Sequence, residues 1–207
     1  MNLEFRRCEA ADANSIVPLI FASGPIAFRY VFSHRHADEA LEFLHAAFAG
    51  RPGQFGHANH LAVVRDGRIV AAGAMWDARA HAGFTLHAAW QILRFFGVWR
   101  GIKTIIRGLR MERVVKPPRA QRAYIGHIAV MPEARGQGIG LELMRYLLQK
   151  AQAGQHPVAA LDVADDNVRA RALYEGLGFV LSESRGSTLA GPYGRVVDHH
   201  YMEVPLR

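Results

Sequence analysis

The segment from residue 123 to 179 constrains the fold more than any other part of the chain, because strand and helix patterns alternate along it without interruption. An apolar run predicts a strand at 123–130, and apolar residues at helical spacing predict a helix at 139–153. A strand of buried type follows at 159–163, and a further helix at 167–177. This order is typical of an α/β domain in which helices connect the strands.

The first strand and helix of this segment are joined by a turn with three glycines at alternate positions, in the run V-M-P-E-A-R-G-Q-G-I-G at 130–140. Glycine lets the backbone turn tightly and approach a ligand, and the helix that begins near Ile139 adds its free N–H groups and positive end. Arg135 is placed to add a charge-assisted contact to a diphosphate. The spacing fits neither a Walker turn nor a dinucleotide fingerprint, and a tight strand-to-helix connection would explain the glycines equally well.

The rest of the chain extends this domain on both sides. The dipeptide Asp66-Gly67 supplies the positive backbone angles of a tight hairpin turn between two β-rich runs. Strands are predicted around Leu3 to Phe5 and at 60–64, 68–76, 179–185 and 199–204, with helices after Asp12 and at 38–48. A glycine-rich loop at 186–194 separates the last two strands.

Residues 77–120 are predicted to form a helical insertion between the hairpin and the strand at 123–130. Two helices are expected, because apolar residues recur at helical spacing in two groups and the stretch ends in Pro117-Pro118. The groups are Leu86, Trp90 and Leu93, then Ile102, Ile105, Ile106 and Leu109.

The basic residues of the chain are concentrated in this insertion. The net charge of the chain is +7, and residues 94–122 hold nine basic residues and one acid, so this segment is +8 and the rest sums to −1. Its second helix is predicted to be basic and amphipathic. The basic residues are Arg100, Lys103, Arg107 and Arg110, beside an apolar stripe of Trp99, Ile102, Ile106 and Leu109.

Four interpretations of this helix remain open. The stripe packs on the core under a solvated basic face, or the helix binds an acidic partner, or it binds a membrane surface, or it covers the acceptor site as a lid. Nucleic acid is an unlikely partner on sequence grounds, since no recognised motif or interleaved aromatic residues accompany the charge.

Some classes of protein are disfavoured by composition. Cys8 is the only cysteine, which rules out an intrachain disulfide and a multi-thiolate metal site. The histidines have no acidic or sulfur cluster beside them, so we expect no metal. No apolar stretch reaches the roughly 18 residues of a membrane span, and no signal pattern opens the chain. We therefore expect a cytoplasmic protein.

A second motif, N-x-x-A-x-x-L-Y-x-x-x-G-F, runs from Asn167 to Phe179. Together with R-x-x-G-x-G at 135–140 and the preceding residues 128–130, it resembles the acetyl-CoA core of the GNAT superfamily of N-acetyltransferases. The resemblance covers residues 123–180, whereas residues 1–76 match only in the order of their elements. It implies one α/β (α+β) domain over 1–207 with a mixed, mostly antiparallel sheet flanked by helices.

The resemblance also implies how the chain would bind acetyl-CoA as co-substrate. Free backbone groups of the strand, at Ile128, Ala129 and Val130, would pair with the pantetheine amides. The turn would hold the pyrophosphate through Arg135, Gly136, Gln137, Gly138, Ile139 and Gly140. Asn167 would hydrogen-bond the cofactor, or only cap its helix. Tyr174 would protonate the leaving thiolate, or serve only as a core aromatic.

The acceptor pocket is expected beside a loop at 25–32 and the insertion, with Phe28, Tyr30 and Tyr124 as substrate-binding residues. No general base is identified. The places that often supply one in the family, two and four residues before Ile128, hold Gly126 and Tyr124. His127 is interpreted as structural, because alternation along a strand would point it to the face opposite Gly126. A water-mediated base is therefore expected.

The expected function is direct transfer of an acetyl group from acetyl-CoA to a primary amine of an unidentified acceptor, without a covalent enzyme intermediate. The expected partners are acetyl-CoA and that amine, and a homodimer is left open. The alternative is a non-catalytic acyl-CoA-binding or regulatory module that docks on an acidic partner. Its support is the missing base.

Overall fold

A computed structural model describes residues 2–206 of the chain. Its strands are β1 Glu4–Arg7, β2 His60–Arg65, β3 Arg68–Trp76, β4 Arg122–Val130, β5 Val158–Ala164, β6 Val180–Arg185, β7 Ala190–Gly191, β8 Gly194–Arg195 and β9 His199–Pro205. Its α-helices are α1 Ala13–Ala22, α2 Pro25–Phe32, α3 Glu39–Ala49, α4 Ala78–Met111, α5 Ile139–Ala153 and α6 Val168–Gly176.

The main sheet has the strand order β1-β2-β3-β4-β5-β9-β6, and β7 pairs with β8 in a separate ribbon inside the glycine-rich loop. Neighbouring strands of the main sheet run antiparallel, except that β4 and β5 are parallel. The hairpin of β2 and β3 turns at Asp66 and Gly67, whose φ angles are 50° and 73°. The predicted α/β (α+β) fold with a mixed, mostly antiparallel sheet is confirmed.

Helices cover both faces of the sheet, and each face has its own core. On one face α1, α2, α3 and α4 pack around residues such as Ile16, Phe43 and Phe48. On the other face α5 and α6 pack around Ile139, Leu143 and their neighbours. Truncating one of the fully buried side chains to alanine typically costs about 2–5 kcal/mol, so both cores stabilise the sheet between them.

The segment at 25–32 is a helix rather than the expected loop. Pro25 occupies its first turn, where proline's fixed φ suits a helix and its missing N–H costs nothing. The Gly-Pro pair therefore only separates α1 from α2. No single helix within residues 2–206 is long and apolar enough to cross a membrane; the segments Ala10–Ala22 and Pro25–Phe32 meet that test only as a pair bent by 100°.

The insertion α4 lies between β3 and β4 and consists of two helical segments that meet at Gly97. The backbone of Gly97 is non-helical, with φ 72° and ψ 173°, an angle that glycine adopts without strain. The Asp77 side chain accepts a hydrogen bond of 2.8 Å from the backbone N–H of Ala80 and so caps the first segment. The prediction of two helices in the insertion is confirmed.

The face of α4 that packs on the protein is not the apolar stripe. Gly101 and Thr104 are buried in its second segment. A Cβ atom on Gly101 would lie 2.9 Å from the Leu93 side chain, so the two segments of α4 pack closely on each other there. The Thr104 hydroxyl lies 2.7 Å from His34 Nε2. The stripe instead faces outward, with Trp99 84% exposed and Ile102 and Ile106 each 44% exposed. The interpretation in which the stripe packs on the core is therefore wrong.

Strand β4 carries one residue more than β3 does. Ala72 pairs with Ala129 but Ala74 pairs with Gly126, so the register shifts between them. His127 lies in this bulge with a φ of 55°, a left-handed value that few side chains adopt. On its other edge, β4 pairs with β5 only over its first three residues, 122–124. The rest of that edge diverges from β5 and is free.

Candidate active site

A cavity of about 1160 Å³ opens where β4 and β5 diverge, and residues from both faces of the sheet line it. The glycine turn, α5 and α6 line one side, and aromatic residues of α2, β3 and α4 line the other. Every predicted site residue lines this cavity except Gln137 and Tyr30. The members are Phe28, Tyr124, Ile128, Ala129, Val130, Arg135, Gly136, Gly138, Ile139, Gly140, Asn167 and Tyr174.

The glycine turn has the geometry of an anion-binding loop. Gly136 and Gly138 have φ angles of 78° and 77°, and Gly138 directly precedes α5 as its N-cap. A Cβ atom on Gly138 would meet no atom within 4 Å, so the space beside the backbone is open. The first N–H groups of α5 have no carbonyl partner within the helix. Uncovered N–H groups beside open space suit a diphosphate.

Side chains around the turn hold it in place and add positive charge. The Arg135 Nε donates to the carbonyl oxygen of Val130 at 3.1 Å, which ties the turn to the end of β4. Gln137 donates to the carbonyl of Glu133 and accepts from Arg65, so it braces the turn from outside the cavity. Sequence reasoning missed Arg65, which reaches the turn only through the hairpin.

Arg169 is a second basic residue that sequence reasoning missed. It lines the cavity, and its Nη2 lies 3.8 Å from where a Cβ atom of Gly136 would be. A cation in that position faces the same open space as the turn. Its position two residues after Asn167, in the first turn of α6, was the available signal.

Tyr174 and Asn167 lie on the cofactor side of the cavity. The Tyr174 ring is buried beside Phe179, and its hydroxyl makes no hydrogen bond within residues 2–206. Burial raises the pKa of Tyr174 to about 12, so the hydroxyl stays protonated at neutral pH. The Asn167 Oδ1 accepts from the backbone N–H of Ala170 at 3.1 Å and caps α6, which leaves its amide N–H groups available.

The other side of the cavity is an aromatic pocket. Phe28, Phe55, Trp76 and Phe84 contribute rings to its lining. Tyr30, although also on α2, lines a separate cleft with three arginines outside this cavity, so the structure does not bring it to the acceptor side. Residues three or four apart share a face of a helix. Phe28 and Tyr30 are only two residues apart, so their side chains point in different directions.

The Tyr124 hydroxyl is already engaged by a buried ion pair. It donates to Asp162 at 2.9 Å, and the other carboxylate oxygen of Asp162 accepts from Arg185 at 2.9 Å. Burial raises the pKa of Asp162 to about 6 although Arg185 opposes the shift. Only the ring of Tyr124 is therefore free to contact an acceptor.

A pair of stacked histidines forms the wall next to the bulge. The rings of His60 and His127 are 5.2 Å apart and nearly parallel, and His60 Nε2 lies 3.0 Å from His127 Nδ1. His60 Nδ1 lies 3.0 Å from the carbonyl oxygen of Gly56, which can only accept a hydrogen bond. His60 therefore donates through Nδ1, and its Nε2 accepts the Nδ1–H of His127.

This chain of hydrogen bonds sets the tautomer of His127. Burial first, and then the charge of His60, lowers the pKa of His127 well below its usual value, so its ring is neutral. With the proton on Nδ1, the lone pair is on Nε2. No hydrogen bond within the described residues uses Nε2, and His127 lines the cavity. The structure thus presents an unprotonated nitrogen to the acceptor side.

The expectation that His127 points away from Gly126 is wrong, and the bulge is the reason. The extra residue in β4 interrupts the alternation, so His127 lies among the rings of Phe28, Phe55 and Trp76. A side chain on Gly126 would also meet Trp76, whose Cη2 is 2.6 Å from the Cβ position. The tryptophan ring thus occupies the place of a side chain at residue 126.

No group of three or more metal-ligating side chains occurs within residues 2–206. The site therefore consists of an anion-binding turn, a free strand edge, a buried phenol and a neutral histidine. These groups line one continuous cavity, so a ligand on the turn and a second ligand in the aromatic pocket would lie side by side.

The acetyltransferase (GNAT) family matches residues 26–179, and the chain belongs to this family, whose members use acetyl-CoA. Human N-acetyltransferase 8B is 34% identical over 82 residues, which are 40% of this chain and 35% of that protein. The match thus spans about a third of the length of that relative.

Solved structures show the same fold at low identity. An N-acetyltransferase from Staphylococcus aureus Mu50 has a TM-score of 0.71 and 19% identity, with 97% of this chain and all of that chain covered. A Salmonella typhimurium protein solved with its cofactor acetyl-CoA has a TM-score of 0.55 and 16% identity, with 100% of this chain and 95% of that chain covered.

Proposed function

We propose that the protein transfers the acetyl group of acetyl-CoA directly to a primary amine bound in the aromatic pocket. The observation that carries the proposal is the continuity of the cavity, which the glycine turn, Tyr174 and His127 all line. Membership of the family supports acetyl-CoA as donor. The relatives that are N-acetyltransferases support an amine as acceptor.

Residues along the cavity are suited to each part of acetyl-CoA, from the diphosphate to the pantetheine arm. The turn and Arg169 provide N–H groups and positive charge for the diphosphate. The free edge of β4 at 128–130 provides unpaired backbone groups for the pantetheine amides. Asn167 keeps amide donors beside the same path after it has capped α6.

Bound acetyl-CoA supplies an activated thioester carbonyl, at which a C–N bond forms as the C–S bond breaks. The amine gives up one proton, and the departing sulfur gains one. Tyr174 is the proposed donor to the sulfur, because burial keeps its hydroxyl protonated. Cys8 is buried with its pKa raised to about 12, chiefly by burial, which disfavours a covalent acyl-enzyme.

His127 is the proposed base for the amine proton. Its Nε2 accepts the proton, and the Nδ1–H hydrogen bond to His60 orients the ring and disperses the new charge. A depressed pKa makes His127 a weak base, but it also keeps the ring neutral and ready to accept. The non-catalytic alternative relied on the absence of a base, and this histidine removes that support.

The first experiment is calorimetric titration of the full chain with CoA, followed by a thiol-release assay with acetyl-CoA and a panel of primary amines. We expect CoA binding and thiol release with at least one amine. Binding without release for any amine would favour the non-catalytic module, and absence of binding would overturn the proposal.

A glycine variant tests the turn itself. Gly138→Val should abolish CoA binding while circular dichroism stays nearly native, because valine cannot adopt a φ of 77° at low cost. Gly83→Val is the matched control, since Gly83 also has open space around it but lies in α4. Retained CoA binding in Gly138→Val would show that the turn is not the anion site.

A further inference from the structure

The outer face of α4 carries most of the large apolar side chains that are exposed within residues 2–206. Of eleven large apolar side chains that are exposed within residues 2–206, eight lie on α4. They include Trp90 at 56% exposure, Val98 at 63% and Trp99 at 84%. Single exposed apolar residues are ordinary, but eight on one element indicate an interaction surface.

These side chains share one side of the second helical segment. At helical spacing, Trp99, Ile102 and Ile106 fall together, and they lie away from the side of Gly101 and Thr104 that packs inward. Apolar residues of an amphipathic helix normally face the core. Here the apolar stripe faces solvent, because the small residues make the internal contact.

Positive charge borders this stripe. Several cations of residues 94–122 are paired with the protein, for example Arg100 with Glu39 and Lys116 with Glu183. Lys103, Arg110 and Arg113 form no ion pair within residues 2–206, and Arg94 only stacks over Trp90. Lys103 and Arg110 are therefore on α4 with the exposed apolar residues, and Arg113 follows two residues after its end.

We propose that the outer face of α4 docks on an anionic lipid surface and lies in the plane of that surface. Apolar side chains would enter the acyl boundary, the two tryptophans would lie at headgroup level, and the unpaired cations would meet lipid phosphates. A second copy of the chain fits less well, because it would bring the Lys103 and Arg110 cations of one copy against those of the other. Nucleic acid would leave the apolar stripe in water.

The test is co-sedimentation of the full chain with vesicles of phosphatidylcholine alone or with about one quarter phosphatidylglycerol, at about 0.05 and 0.5 M salt. We expect binding to the anionic vesicles, weakened at high salt, and little binding to the neutral ones. Fluorescence should report the transfer of Trp90 and Trp99 to a less polar environment.

Two variants separate the apolar and electrostatic contributions. Trp99→Ser with Ile102→Ser should reduce vesicle binding about tenfold or more, and Lys103→Ala with Arg110→Ala should do the same. The control replaces exposed apolar residues elsewhere, Val180→Ser with Leu181→Ser on β6, and should bind vesicles like the native chain. CoA titration of each variant shows that it is folded.

Three results would overturn the proposal. The first is absence of binding to anionic vesicles at low salt. The second is binding that only the charge variant weakens, which would mean adsorption without use of the apolar stripe. The third is a dimer in sedimentation velocity that Trp99→Ser with Ile102→Ser dissociates, in the absence of vesicle binding, which would assign this face to a second copy.

Discussion

A phenol can protonate a departing thiolate only while it keeps its own proton, and burial of Tyr174 secures that condition. We expect Tyr174→Phe to lower kcat by about 10²–10⁴-fold with little change in the KM for acetyl-CoA. Steady-state kinetics of thiol release measures both. Tyr146→Phe, on the outer side of α5 against Phe5, is the control and should have no effect. An unchanged kcat would leave Tyr174 as a core aromatic.

The histidine pair makes a prediction in pH. Because the pKa of His127 lies well below 6.5 through burial and the charge of His60, the base is neutral at higher pH. With both substrates saturating, titration of His127 should not change kcat above pH 6.5. Below pH 6.5, kcat should fall as His127 becomes protonated. His127→Gln should lower kcat by about 10²-fold and remove that fall.

Exposed His36 provides the matched control, since His36→Gln should leave kcat and its pH profile unchanged. If His127→Gln retained the native pH profile, the base would be a different group or a water. A variant with native CoA binding but lower kcat would place the loss in the chemical step rather than in donor binding.

Among the elements, those with a strong local signal could be predicted from the sequence. The hairpin had its Asp66-Gly67 turn, and the glycine turn had three glycines between a strand and a helix. The bulge in β4 could not be predicted, because one extra residue leaves no mark on an apolar run. That residue decides which face of the sheet carries the His127 side chain, so the proposed base could not be predicted without the bulge.

The orientation of α4 could not be predicted from the hydropathy of its sequence either. Its apolar stripe is regular, and such stripes normally face inward. The contacts that hold α4 come instead from Thr104, whose hydroxyl lies 2.7 Å from His34 Nε2, and from Arg100, which pairs with the fully buried Glu39 at 2.9 Å. Sequence periodicity does not show which of two adjacent helix faces packs on the rest of the protein.

This pairing changes what charge reversal on α4 should do. If Arg100, Lys103, Arg107 and Arg110 all lay on an exposed face, as their spacing predicts, reversing two of them to Glu would leave stability nearly unchanged. With the structure in hand, Arg100→Glu should cost about 1–2 kcal/mol, less than a fully buried pair because Arg100 is partly exposed. Lys103→Glu should stay within about 0.5 kcal/mol. Urea denaturation measures both, and equal losses would contradict this difference.

At the scale of the whole molecule, buried neutral histidines make the free energy of unfolding depend on pH. Burial lowers the pKa of His60 to about 4 from an ordinary value of 6.5, so below pH 6.5 the unfolded chain binds more protons. Stability is then present above pH 6.5 and lost as pH falls toward 4. His60 alone should remove about 2 kcal/mol between about pH 7 and 4.5.

Urea denaturation at these two pH values checks this expectation. The native chain should lose more stability on acidification than His60→Gln, whose side chain cannot be charged. Other groups also titrate in this range, so the informative quantity is the difference between the two proteins. An identical loss would mean that His60 does not remain neutral in the fold.

The cavity between β4 and β5 is lined by residues from both faces of the sheet. In the proposed function, the donor would lie on the side of the glycine turn and the acceptor on the side of the aromatic pocket, so each would occupy its own half of the cavity. One compound that joins CoA to an amine through a short tether would occupy both halves at once. Its second half would bind at the high local concentration that the tether imposes, so such a conjugate would bind far more tightly than either half. The acceptor could then be sought by varying one end of a single inhibitor.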